Sequence, residues 1–60
     1  MNETVNVMAS FQRDLEEAVK AIRMGMWPDT EEGRKAAADL VGSVEAKARA
    51  AAIEIEEMEG

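Results

Sequence analysis

One short segment, residues 25–32, separates two stretches with helical periodicity and constrains how the chain can fold. It contains the only tryptophan and the only proline, Trp27 and Pro28. Proline lacks a backbone N–H and disfavours helical geometry at the residue before it, so a helix arriving from the N-terminal side must end at or before Trp27. Gly25 offers a left-handed position at which such a helix can end. We therefore expect two helices folded back about this turn.

The second helix has two candidate N-caps. Asp29 is preferred, because Glu32 then occupies the third helical position and completes a capping box. Thr30 is an almost equal candidate, but it places Gly33 at that position. Either start leaves acidic residues near the positive end of the helix dipole, where they are favoured.

Both stretches repeat apolar residues every three or four positions, as amphipathic helices do. We predict helix 1 over about residues 4–25, a turn over 25–29 and helix 2 over about 30–58, in one domain spanning 1–60. Helix 1 supplies bulky side chains and helix 2 mainly small ones, a combination that lets helices pack closely. The residues predicted to form the apolar stripes and an oligomer interface are Met8, Phe11, Leu15, Ile22, Val41, Val44, Ala48, Ala51 and Ile55.

Length and composition together favour self-association. A domain of 60 residues buries only about 60% of its unfolded surface and usually needs disulfides, a metal or oligomerisation. The chain has no cysteine and no histidine, so self-association is what remains. Helix 2 is also expected to outrun helix 1, which leaves Ile53, Ile55 and Met58 uncovered. We predict an all-α, two-helix antiparallel hairpin that self-associates, most simply into a four-helix bundle and alternatively into a larger ring.

Alternating residues near the two ends leave a strand-containing fold open as an alternative. Residues 4–7 and 53–55 could be edge strands, since short apolar runs cannot be assigned by period alone. The N-terminal strand alone would suit a ribbon-helix-helix-type transcriptional regulator. A ribbon that reads DNA needs basic or polar residues, and this segment offers Glu3, Thr4 and Asn6.

The net charge of −6 restricts the partners. It makes nucleic acid an unlikely partner and argues against an anionic membrane. No apolar run approaches a transmembrane span, and the first residues do not resemble a signal peptide, so we expect a cytoplasmic protein. An acidic surface instead favours a protein with a basic surface.

Catalysis is not expected. Ser10 and Ser43 are isolated from any general base. Adjacent carboxylates such as Glu16 and Glu17 point about 100° apart on a helix and do not share a site. Di-metal sites in helical bundles use inward-pointing histidines together with glutamates, and the chain has no histidine. We predict no enzymatic activity, no catalytic residue, no metal and no cofactor.

The turn contains one candidate ligand site. Arg23 precedes Trp27 by about one helical turn, and Arg34 and Lys35 follow at the start of helix 2. An aromatic ring, a guanidinium group and a helix N-terminus are what a small anionic, nucleotide-like ligand would use. The nearby acids would repel an anion, and they could simply pair with these cations. A bound ligand should quench or shift the fluorescence of Trp27.

The function that the sequence favours is that of a small acidic, non-enzymatic binding protein, acting as a regulator or inhibitor through protein–protein interaction. Proteins of this size without catalytic residues are often encoded by phages or mobile elements. The alternatives are an oligomer that sequesters an anionic ligand at the Trp27 turn, a ribbon-helix-helix regulator, and a purely structural assembly role.

Overall fold

A computed structural model describes residues 2–58 of the chain. Within that range the secondary structure consists of two α-helices, α1 (Glu3–Met24) and α2 (Glu31–Met58), joined by residues 25–30. The two helices pack against each other, which confirms the predicted all-helical hairpin. Both ends of α1 and the start of α2 lie one residue from the predicted positions, and the end of α2 is at the predicted residue 58. Met1, Glu59 and Gly60, which the predicted domain included, lie outside the described residues.

Both segments that might have been strands are helical. Residues 4–7 lie in the first turns of α1, where the Asn2 side chain accepts a hydrogen bond from the backbone N–H of Thr4 at 2.9 Å. Residues 53–55 lie in the last turns of α2. The strand alternatives are therefore wrong: Asn2 caps a helix before residues 4–7 begin, and residues 53–55 continue a helix that started at Glu31. The ribbon-helix-helix alternative loses the strand that it requires.

Thr30, and not Asp29, is the N-cap of α2. The backbone N–H of Gly33 donates to the Thr30 hydroxyl oxygen at 3.0 Å, whereas the Asp29 carboxylate pairs with Arg34 at 2.9 Å. A Cβ atom added to Gly33 would overlap the carbonyl oxygen of Pro28. Gly33, which counted against Thr30 in the sequence, is therefore the residue that allows α2 to start there.

Gly25 ends α1 without entering the left-handed region. Its φ and ψ angles are −77° and 153°, so the expected left-handed cap is wrong. Glycine is needed for space instead, because a Cβ atom would lie 2.8 Å from both the Ala21 carbonyl oxygen and the Trp27 ring. The Trp27 indole N–H donates to the Ile22 carbonyl at 2.9 Å, which satisfies one of the carbonyl groups that a helix end leaves free.

At the end of the hairpin opposite the turn, which we call the open end, the first turn of α1 lies beside the last turn of α2. The Thr4 hydroxyl donates a weak hydrogen bond to Met58 Sδ at 3.8 Å. Ile55 and Met58 are half-buried, so the expectation that α2 outruns α1 is wrong for them. Only Ile53 of the three faces outward, with 47% of its surface exposed. Each residue of α1 therefore pairs with a residue of α2 that lies closer to the C-terminus than symmetrical folding about the turn implies.

The hairpin is a flat layer with almost no closed core. Ala18, with 8% of its surface exposed, is the one buried hydrophobic residue among residues 2–58. Phe11, Leu40 and Val44, which lie between the helices, are only half-buried. The Cα atoms extend over 46 × 18 × 7 Å, with a radius of gyration of 14.4 Å. A compact domain of this length would have a radius of about 10 Å.

Candidate interaction surfaces

One broad side of the hairpin is apolar and exposed. We call it the apolar face and define it by Met8, Leu15, Val19 and Ile22 of α1 with Val41 of α2. The four α1 residues recur at spacings of three, four and seven, and lie about a quarter turn from the inward-facing Ala18. All five are between 40% and 65% exposed. The groove between the helices on this side has Glu45 as its single charged lining residue.

The opposite side of the hairpin is polar. The grooves between α1 and α2 there are lined by Asp14, Glu17, Ser43, Lys47 and Glu54 in addition to inner-face apolar residues. The two sides of the same layer therefore differ in chemistry, as expected when each helix has an apolar stripe broader than one neighbouring helix can cover.

Negative charge is concentrated at the open end. Residues 1–12 and 50–60 contain five acidic side chains and no basic one, whereas residues 13–49 contain eight acidic and seven basic side chains. The contact between Thr4 and Met58 brings the two acidic segments together. The negative end of the α2 dipole lies beside the positive end of the α1 dipole there, so the side chains and not the dipoles supply the net charge. We call Glu3, Glu54, Glu56 and Glu57 the acidic end; Glu59 lies outside the described residues.

The nine predicted interface residues divide into two groups. Met8, Leu15, Ile22 and Val41 lie exposed on the apolar face. The other five are half-buried between α1 and α2 and are Phe11, Val44, Ala48, Ala51 and Ile55. Val19, which the predicted set does not include, also lies on the apolar face and follows the same spacing as Leu15 and Ile22. Periodicity identified the stripes without separating the side that faces the neighbouring helix from the side left open.

Two of the four residues of the predicted ligand site bond to neighbouring residues of the chain. Trp27 donates to Ile22 and is 39% exposed, and its ring lines a shallow groove with Ala37 of α2. Arg34 is paired with Asp29. Arg23 and Lys35 are exposed near the same turn. The anionic-ligand site stays a prediction, with two of its four residues already engaged.

Residues 2–58 contain neither a membrane-spanning helix nor a cluster of metal-binding side chains. Neither α1 nor α2 contains a stretch long and apolar enough to cross a membrane. Across the same residues, no three side chains of metal-binding type are grouped so that they could hold an ion. No family model matches the chain, and no curated protein or solved structure is significantly similar to it.

Proposed function

We propose that this chain is a small, non-enzymatic protein that self-associates and binds a partner protein with a basic surface, acting as a regulator or inhibitor of that partner. The observation that supports the proposal is the separation of the surface into an apolar face and an acidic end. Each region suits a different kind of contact, and neither requires catalytic chemistry.

The apolar face supports self-association. A two-helix layer buries one stripe of each helix and leaves the adjoining stripe in water, where large apolar patches are unusual for soluble monomers. A second hairpin laid on the first would enclose both stripes in a four-helix bundle, the simplest closed arrangement of antiparallel helices. We propose this bundle as the assembled form of the chain.

The acidic end supports a basic partner. Its four described carboxylates, Glu3, Glu54, Glu56 and Glu57, are exposed, and no Lys or Arg lies in the surrounding sequence segments. Exposed charges contribute mainly to the association rate and to partner selection, and their effect falls as salt rises. The partner should therefore be recognised by complementary charge, with the highest association rates at low ionic strength.

Salt dependence and charge neutralisation test this proposal. The tagged chain is used to isolate a partner from the cells that produce it, and the association rate constant with the purified partner is then measured. We expect the variant E54Q/E56Q/E57Q to lower that constant about tenfold at low salt, because steered association is faster than neutral association by at least that factor. Glutamine preserves helix propensity, so the hairpin should remain intact.

The matched control removes the same number of charges away from the acidic end and from the apolar face. The variant E16Q/E17Q/D39N, at three exposed positions, should retain most of the wild-type association rate. Equal decreases of the association rate constant in the two variants would mean that net charge, and not the acidic end, determines the rate. A partner that binds equally fast at low and high salt would contradict recognition by charge.

A further inference from the structure

We infer that the apolar face is covered by a second copy of this chain, related by a twofold axis parallel to the helices. In this arrangement α1 of each copy lies on α2 of the other, and the two acidic ends lie at the same end of the bundle. The inference rests on the self-association proposed above. It adds which face of the hairpin is covered and how the two copies are oriented.

The exposed area is what a dimer of this kind would remove. The chain exposes 5123 Å², whereas a compact monomer of 6.6 kDa would expose about 3,900 Å². The excess, about 1,200 Å² per copy, corresponds to about 2,400 Å² for a pair, which lies within the range of permanent homodimers. The apolar face, with five exposed apolar side chains, is where covering part of this area would be most favourable.

The sizes of the side chains select the orientation. The exposed stripe of α1 is bulky, with Met8, Leu15, Val19 and Ile22. The corresponding stripe of α2 carries Val41, Glu45 and the small Ala52, with the half-buried Ala48 at its inner edge. Placing α1 on α2 of the second copy sets the larger residues against the smaller ones, which is how layers interdigitate without voids.

The inverted dimer, in which the open end of one copy meets the turn of the other, packs less well. It sets the bulky stripes of the two α1 helices against each other and the small stripes of the two α2 helices against each other. Glu45, near the middle of α2 on the apolar side, would also face Glu45 of the second copy. In the proposed arrangement Glu45 faces α1 of the second copy, level with Leu15 and Val19, and the two Glu45 side chains stay apart.

Charge repulsion does not reverse this choice. The two acidic ends would adjoin, but the two α2 helices lie diagonally, roughly 14 Å apart for neighbouring axes about 10 Å apart. That separation exceeds the Debye length of about 8 Å at physiological salt. Glu54 lines the polar side of the hairpin, away from the second copy. The dimer would therefore present a doubled acidic end to a basic partner.

Two substitutions to glutamate test which face is covered. Val41 is 65% exposed in the hairpin, so V41E should be harmless unless another chain covers it. Ala46 is exposed on the outward side of α2, and A46E adds the same charge there. We expect V41E to raise the dimer dissociation constant at least about 100-fold, because a charge would be buried, and A46E to leave it unchanged. The mass in sedimentation equilibrium gives the result; a monomeric wild type, or equal masses for both variants, would overturn the inference.

Distances between spin labels test the orientation. The chain has no cysteine, so E57C or K35C provides a single labelling site at the open end or at the turn end. In the proposed dimer both sites should give distances below about 30 Å between copies, since neighbouring helices are about 10 Å apart. The inverted dimer would separate the two E57C sites by about 40 Å, since residue 57 lies near the end of α2 and each residue adds about 1.5 Å. K35C, closer to the middle of α2, would give only about 30 Å. A distance near 40 Å at E57C would overturn the orientation.

The outcomes separate this inference from the proposed partner. Short distances at both sites without salt-dependent partner binding would support the dimer and contradict the basic partner. Long distances together with salt-dependent binding would support the partner and contradict the orientation. A dimer in which V41E keeps the wild-type mass would place the contact on another face.

Discussion

At the scale of single residues, the three glycines within residues 2–58 have different roles. Gly25 and Gly33 leave space where the backbone or the Trp27 ring approaches closely, whereas nothing lies within 4 Å of a Cβ atom placed at Gly42. Gly42 therefore marks no close approach of α1 to α2. In an exposed helix interior, its flexibility simply weakens the helix.

The same substitution should consequently have opposite effects at two of these positions. We expect Gly33→Ala to lower the free energy of unfolding by about 1–3 kcal/mol, because its Cβ would be forced against Pro28. Gly42→Ala should raise the free energy of unfolding by about 1 kcal/mol, the difference in helix propensity. Urea denaturation at one protein concentration measures both. A loss of stability in Gly42→Ala would show that another chain approaches α2 at that point.

At the scale of the helices, the caps of α2 can be distinguished by two alanine variants. Thr30→Ala removes the oxygen that accepts from Gly33 and should lower the free energy of unfolding by about 1 kcal/mol. Asp29→Ala removes an exposed ion pair with Arg34, and such pairs contribute about 0–1 kcal/mol. Thermal unfolding followed by circular dichroism should rank Thr30→Ala as clearly the less stable; the reverse order would restore Asp29 as the cap.

The helices themselves could be predicted from the sequence, because their signals are local. Pro28 stops one helix, and the three-to-four spacing of apolar residues extends over both segments. The choice of cap could not be predicted, because it depends on Gly33 packing against Pro28. The pairing of α1 with α2 was also misjudged, since it depends on the path of residues 25–30 and is fixed by contacts such as Thr4 with Met58.

At the scale of the whole molecule, composition predicted an acidic protein but not where its charge would collect. Glu3 is separated by about fifty residues of sequence from Glu54–Glu57, and they meet only because both helices reach the open end. The division of the stripes is likewise a property of the folded hairpin. Met8 and Phe11 belong to one apolar stripe in the sequence, yet Phe11 is half-buried and Met8 is exposed.

A hairpin with one buried hydrophobic residue among residues 2–58 should owe much of its stability to association, and that stability should depend on protein concentration. If folding and dimerisation are coupled, a hundredfold increase in concentration stabilises the folded state by about 2.7 kcal/mol, by mass action. We therefore expect the midpoint of urea denaturation to rise with concentration in the wild type. V41E should show a low midpoint that does not change with concentration, because its apolar face can no longer be covered. A wild-type midpoint that is independent of concentration would mean that one hairpin is stable alone, and the four-helix bundle would then have to be abandoned.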